Sequence, residues 1–298
     1  VFADIPTANQ LRVVTIGSTA VCVCEPVSTA SFARAASFWT KEPDTIRWLD
    51  GLGPEDVVYD IGANIGIYSL YAAKQRGCRV IAFEPEAANY ALLCTNIAYN
   101  KVQDRVHPVQ MALAGGGDSL AFSPLYLSCP QPGQGNHMVN EPLDSNLQPR
   151  LQSSVIQIVA TTTLAHAVEL LKLPPPTAIK MDVDGLEHAI VATGGDIIRQ
   201  ARTCIIELNS KLPQHLACLE MMTAFGFQYS EQQWRGTFRG PGPFEGLGEC
   251  IFYRPPQSMG LCYEPDVVPH LRLRDVFDRD IIQGLQASLR RQAEEGIF

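Results

Sequence analysis

From Val57 onward the sequence alternates between two kinds of text. Short runs rich in β-branched residues end in an acidic or small residue, and each is followed by a stretch of helical periodicity. The strand candidates are Val57–Asp60, Arg79–Glu84, Val106–Ala112, Ala178–Asp182 and Cys204–Leu208. Helical patterns follow at Gly66–Gln75, Ala87–Tyr99, Leu186–Thr193 and Gln214–Phe225. Strands joined through helices do not meet as tight hairpins; they lie parallel, with helices covering both faces. The alternation therefore predicts an α/β fold with a mostly parallel, doubly wound sheet.

The flanks carry a different pattern. Residues 1–52 form a lead-in, with a hairpin expected over "LRVVTIGSTAVCVCEP" and helix up to "DTIRWLDGL". Residues 53–256 make the principal domain. Within it, residues 115–150 break the rhythm with a Gly-, Pro-, Asn- and Gln-rich text, expected as a functional loop or a disordered insertion. "SSVIQIVATTTL" reads as a strand entering a short helix, and "WRGTFRGPGPFEGLG" as a loop before a last strand, "ECIFYR". Residues 257–298 form a C-terminal extension. Its helical pattern from Asp275 to about Glu294 places Val276, Ile281, Ile282, Leu285 and Leu289 on one stripe, suited to capping the domain or to a homo-oligomer contact.

Charge narrows the partners. A net charge of −8 and a pI near 5.3 argue against nucleic acid, which selects a basic face. No run of 18 or more apolar residues predicts a membrane span, and "VFADIPTANQ" lacks the charged and apolar regions of a signal peptide. The nine cysteines are an odd number; Cys78, Cys94, Cys204 and Cys250 fall in apolar runs, where a reduced thiol acts as a small hydrophobe. This fits a reducing, cytoplasmic setting better than a disulfide framework. Cys22 and Cys24 share a strand face, but no second Cys/His pair stands at zinc-like spacing.

The corner "YDIGANIG" is the most specialised stretch. A strand must turn sharply there into a helix whose first amides lack partners. Gly62 and Gly66 admit close approach of other atoms. The dinucleotide fingerprint is G-x-G-x-x-G, whereas this corner is D-x-G-x-N-x-G. Asp60 is ill-suited to a pyrophosphate and well suited to hydroxyl, ammonium or sulfonium groups. A second acid, Glu84, closes the next strand, where a carboxylate can accept both hydroxyls of a ribose. Together the strand ends describe a site for a nucleoside without phosphates, such as S-adenosylmethionine. A plain strand-to-helix turn remains the other reading of the corner.

"DIGANIGIYSLYAA", "FEPEAANYALLCTNIAYN", "MALAGG", "TTLAHAVE" and "IKMDVDGLEHAIVATGG" occur in that order. From about Val57 to Asn209 the chain resembles the FkbM-type methyltransferases, a branch of the class I S-adenosylmethionine-dependent enzymes. The resemblance implies a Rossmann-like sheet of seven strands and methylation of a hydroxyl on a small molecule such as a sugar, glycolipid or polyketide-like compound. It implies that Asp60, Gly62, Asn64 and Gly66 contact the methionine part and pack the turn. It implies further that Glu84 holds the ribose, with Pro85 shaping the turn, that Met111 and Ala112 border the adenine, and that Asp182 faces the methyl group and acceptor. Asp184 stands where this family usually has Glu, one methylene longer. His188 and Ala189 replace the commoner Leu-Glu pair.

Methyl transfer to a hydroxyl needs alignment, exclusion of water and a destination for the proton. Asp182 is the first candidate, as base or as orienting acceptor. Glu187 and His188 are further catalytic candidates, each with a structural alternative: a first-turn acid favoured by the helix dipole, and a half-buried histidine. His137, in the Gln134–His137 stretch, is a weaker one. That stretch, the lead-in and "WRGTFRGPG" are the candidates for acceptor recognition. Asp182, Asp184 and Glu187 leave a divalent cation open without demanding one. Tyr68 and Tyr71 are expected in the core. The rival readings are a nicotinamide-dependent oxidoreductase and a non-catalytic module retaining the fold.

Overall fold

The computed structural model describes residues 11–24, 29–117, 119–150 and 155–254. The described residues all fall within one compact unit, Val1–Pro255. The expected C-terminal helix and its oligomer contact lie outside the described residues.

The lead-in contains a hairpin, β1 (Leu11–Ile16) and β2 (Thr19–Cys24), and three helices, α1 (Thr29–Ala36), α2 (Phe38–Lys41) and α3 (Pro43–Asp50). The alternating region follows as β3 (Val57–Ile61), α4 (Ile67–Arg76), β4 (Arg79–Phe83), α5 (Ala87–Asn100) and β5 (Val106–Val109). Next come β6 (Ala112–Leu113), β7 (Ala121–Tyr126), β8 (Met138–Val139), β9 (Ile156–Thr162) and α6 (Leu164–Leu171). The last stretch holds β10 (Ala178–Met181), α7 (Glu187–Thr193), α8 (Gly195–Ile198), β11 (Thr203–Asn209), α9 (Pro213–Ala224), β12 (Gln228–Tyr229), α10 (Glu231–Gly236) and β13 (Leu247–Tyr253).

The principal sheet has seven strands in the order β12-β13-β11-β10-β3-β4-β5. β11, β10, β3, β4 and β5 run parallel, while β13 is antiparallel to β11 and β12 to β13. This is the mostly parallel seven-stranded arrangement expected. Both faces are covered, so β10 and β11 are buried along their whole length, and their sequence is nearly continuous apolar text. Alternate side chains feed separate cores. Val58, Val80, Ala82 and Ala178 pack with α3, α4 and α5 residues such as Leu49, Leu70 and Leu93. Tyr59, Ile81, Ile179 and Ile206 pack with residues of α6, α7 and α9 such as Ala167, Ile190 and Met222. Tyr71 is buried and Tyr68 half-buried against the first core, as expected.

Between β3 and β10 the chain changes direction of travel across the sheet. In an open α/β sheet, such a switch leaves a crevice beyond the carboxyl ends of the strands.

Two expectations are corrected. The single strand over Val106–Ala112 is interrupted: β5 stops at Val109, the Met111 N–H bonds back to the Val109 carbonyl at 3.0 Å, and β6 leaves for a second sheet. Residues 115–150 are not a featureless loop. β7 and β8 lie within them and join a four-stranded sheet of order β6-β9-β7-β8. β7 pairs with β9 over Ala121–Tyr126, across roughly thirty intervening residues, so no local turn signal announces it.

Candidate active site

The corner after β3 is built by glycine geometry. Gly62 has φ +84°, and a Cβ there would fall 1.8 Å from the Asp182 carbonyl oxygen. The ends of β3 and β10 therefore touch through a position only glycine can occupy. The Gly62 and Ala63 N–H groups donate to the Phe83 carbonyl at 3.0 and 2.9 Å, fastening the corner to β4. Gly66, at φ +86°, precedes α4; a Cβ there would stand 2.4 Å from Leu93 Cδ1. It serves helix packing, and unlike Gly62 and Asn64 it does not line the cleft.

The cleft has a volume of about 520 Å³. At one end Glu84, 5% exposed, accepts the Asn64 N–H on Oε2 at 2.8 Å and the Glu86 N–H on Oε1 at 2.9 Å. Burial pushes its carboxyl up to about 7, against the pull of these two N–H groups. Pro85, Met111 and Ala112 line this end, with Phe83, Leu113 and Leu125 as apolar walls.

A strap, residues 133–137, crosses beside it. Asn64 Nδ2 and Asn89 Nδ2 donate to the Gln134 carbonyl at 2.7 and 3.1 Å, and Asn89 Oδ1 accepts the Gly133 N–H at 2.6 Å. Arg34 donates to the Gly133 carbonyl, Ser128 Oγ to that of Gly135, and Arg150 to that of Asn136. His137 lines the cleft. Burial, with Arg150 and Arg34 nearby, pushes its imidazole down to about 4, so it is neutral at pH 7.

Asp60 does not reach the cleft. It is 2% exposed, accepts from Ser69 Oγ at 2.6 Å and lies 3.6 Å from Lys180 Nζ. Its side chain points towards α4, beneath the cleft floor, where it supports Ser69 and Lys180. Asp182 does line the cleft, with its side chain 21% exposed and Oδ2 3.6 Å from the same Lys180 Nζ. Burial opposes its ionised form, but Lys180, with Lys41, Arg34 and Arg239 beyond, outweighs burial and holds the carboxyl well below the usual range. Asp184, also on the wall, adopts φ +58°, unusual for a residue with a Cβ. Burial, followed by the charges of Asp182 and Glu187, pushes its carboxyl up to about 6.

Glu187 and His188 are corrected: neither lines the cleft. Glu187 is 1% exposed. It accepts the Val183 N–H at 2.9 Å and the Gly185 N–H at 3.0 Å, clamping the turn that carries Asp182 and Asp184. His215 Nε2 stands 3.3 Å from its Oε2, while His215 Nδ1 accepts the Asn209 N–H at 2.8 Å. A first-turn acid of α7 thus folds back onto its own approach. His188 is half-buried, its Nδ1 without a partner among the described residues. Glu187→Ala would strand the buried Gly185 N–H and the half-buried Val183 N–H; at about 1–3 kcal/mol for a buried donor, a loss of at least about 1 kcal/mol in urea unfolding is expected. Full stability with lost activity would return Glu187 to the chemistry.

The far end of the cleft draws on two segments named as candidates for acceptor recognition, the lead-in and "WRGTFRGPG", together with Glu207. Arg34, Ser37 and Lys41 arrive from α1, α2 and the residue between them, Glu207 from β11, and Arg239 and Phe244 from the loop before β13. Arg239 is paired with Glu207 and lies 3.4 Å from Glu249. Arg34, Ser37, Lys41 and Arg239 fall within those segments without having been singled out one by one; Glu207 was missed, though it carries a signal, an acid near the end of an apolar strand as Asp60 and Glu84 are. Carboxylate oxygens of Asp182, Asp184 and Glu207 lie within 4.8 Å of one another. Lys180 stands against Asp182 and Arg239 against Glu207.

The domain model described as "Methyltransferase FkbM domain" matches residues 60–229. The hexuronic acid methyltransferase AglP of Haloferax volcanii is 25% identical over 170 residues, 57% of this chain and 63% of that protein. The 31-O-demethyl-FK506 methyltransferase FkbM of Streptomyces tacrolimicus is 38% identical over 74 residues, 24% of this chain and 28% of that protein. The chain thus spans less than two thirds of either relative. Methyltransferase FkbM from Methylobacillus flagellatus, a solved structure, aligns with a TM-score of 0.42 at 15% identity, covering 75% of this chain and 53% of that one.

Proposed function

Because the chain belongs to the FkbM methyltransferase family, we propose that it transfers the methyl group of S-adenosylmethionine to a hydroxyl of a small molecule. The observation that carries this reading is Glu84: a buried carboxylate on the cleft wall, both oxygens already aligned by backbone N–H groups, with lone pairs left for two vicinal hydroxyls. The groups around it suit a nucleoside. Gly62 leaves main chain open to the ligand, Asn64 holds the corner, and Met111, Phe83 and Leu113 offer apolar surface to a base. When bound, the cofactor supplies an electrophilic methyl on a positively charged sulfur.

The chain's own residues do the rest. Asp182, kept ionised, faces positive charge and orients the acceptor hydroxyl. Arg34, Lys41, Glu207 and Arg239 line the remaining space and offer donors and acceptors to a polyhydroxylated acceptor; a sugar or sugar acid fits, in keeping with the hexuronic acid named for the AglP relative. The strap narrows access of water, which favours displacement by the aligned oxygen. We place the reaction in the cytoplasm, on the strength of free cysteines such as Cys78, Cys204 and Cys250 buried as hydrophobes. Among the described residues no helix is long and apolar enough to cross a membrane.

Isothermal titration tests the reading directly. S-adenosylhomocysteine should bind with one-to-one stoichiometry and NAD should give no heat; the reverse result overturns the assignment. Formation of S-adenosylhomocysteine from S-adenosylmethionine across a panel of sugars and sugar acids then identifies the acceptor.

A further inference from the structure

Asp182 and Asp184 both face the cleft, so the acceptor meets two carboxylates separated by one residue. What distinguishes them lies under the floor. Lys180 of β10 is 4% exposed, and its Nζ stands 3.6 Å from Asp60 Oδ1 and 3.6 Å from Asp182 Oδ2. The ring of Tyr68 closes it from the side, 5.1 Å from centroid to Nζ. Asp60 is itself fixed by Ser69, so the ammonium is held between two anions. Asp184 has a different environment: its hydrogen-bond donor among the described residues is the Asn136 N–H of the strap.

We propose that Lys180 is a positioning residue that divides the two aspartates, holding Asp182 ionised to orient the acceptor and leaving Asp184 to take the acceptor's proton. The proposal rests on the methyl-transfer reading. In the step, the acceptor oxygen bonds to the methyl carbon, the carbon–sulfur electron pair stays on sulfur, and the hydroxyl proton passes to an Asp184 oxygen. Environments that push neighbouring titratable groups apart are how acid–base roles are assigned in other active sites.

The surroundings support the division. Arg34, Lys41 and Glu42 face Asp182 from the lead-in, Tyr68 from α4, and Glu207, Glu249 and Arg239 from the β11–β13 side. Asp184 is faced by Asp182, Glu187, Glu207, Arg34 and Arg150. The cations thus concentrate on Asp182. Burial and three neighbouring carboxylates, Asp182, Glu187 and Glu207, act on Asp184.

The test is carboxyl-carbon NMR of the full chain labelled at aspartate Cγ, with D182N and D184N assigning the two signals. In the free protein, Asp182 should show no titration above pH ~4 and Asp184 should titrate near pH ~6. In K180M the Asp182 midpoint should rise by about two pH units, and K180R should restore it, while S-adenosylhomocysteine affinity changes less than about threefold. Two aspartates titrating together, or an unmoved Asp182 in K180M, overturns the proposal. D60N/K180M removes the opposed charges together and guards against an unpaired buried carboxylate. If that variant also fails to fold, Lys180 is a fold stabiliser and the proposal falls. Failure of the wild type to bind S-adenosylhomocysteine sinks the methyl-transfer reading instead, and the titrations still report on the aspartates.

Discussion

Gly62→Ala is expected to be the most damaging small substitution in the chain. Two costs combine. The residue sits at φ +84°, a region that costs a residue with a Cβ about 1–3 kcal/mol. The new methyl would also lie 1.8 Å from the Asp182 carbonyl oxygen and 3.3 Å from Val183 Cγ1. That oxygen is backbone, so relief requires the ends of β3 and β10 to part, at a further ~1–3 kcal/mol. The sum, about 2–6 kcal/mol, approaches the whole stability of a typical domain. It should appear as a large drop in the urea midpoint with an unchanged slope, and residual folded protein should bind S-adenosylhomocysteine poorly because the cleft floor has moved. Gly117→Ala, whose added methyl would meet nothing within 4 Å, should be nearly silent. A Gly62→Ala protein as stable as that control would refute the close approach.

Glu84→Ala carries the second large effect, on affinity instead of stability. Charge-assisted hydrogen bonds to ribose hydroxyls contribute about 1.5–3 kcal/mol, so calorimetry should show S-adenosylhomocysteine binding weakened ~10- to 150-fold. Unchanged affinity would remove Glu84 from the site. The pH dependence has a definite sign. Burial raises this carboxyl from 4.5 to about 7, and the bound ribose favours the ionised form. Affinity should therefore climb as pH rises through 7 and level off above it, with roughly a tenfold loss one unit below. Glu84→Gln should flatten that profile. The stability of the empty protein follows the opposite course: the contribution of this group is complete below 4.5 and is lost as pH rises through about 7.

The parallel strands were legible because burial on both faces leaves near-continuous apolar runs, and β3, β4, β10 and β11 match those runs closely. The acids at strand ends were legible for the same reason, since a charge closing an apolar run is conspicuous. The direction of each acid was not. Asp60 and Asp182 lie on one face of neighbouring strands, Asp60 beside Lys180 and Asp182 two residues farther along; one is held under the floor by Ser69 and Lys180 and the other, past the strand end, faces the cleft. Glu187 carried the residue type of a catalytic acid; what removes it from the cleft is its return to the Val183 and Gly185 N–H groups, a tertiary detail. Arg34, Glu207 and Arg239 lie about thirty residues or more apart in sequence from one another, and only the topology joins them.

The strap has a consequence for diversification. Asn64, Asn89, Arg34, Ser128, Arg150 and Asp184 grip it mainly by its main-chain N–H and carbonyl groups; one side chain joins in, His137 Nδ1 accepting the Ser128 N–H at 3.3 Å. Gly133, where a methyl would meet the Ser31 backbone at 2.5 Å, Asn136 at φ +58° and His137 with its ring contact are tied to the fastening; Gln134 is held through its carbonyl. On the proposed function, a lineage carrying this scaffold could retune its acceptor through Gln134, which lines the cleft, while the fastening and the nucleoside end stay untouched.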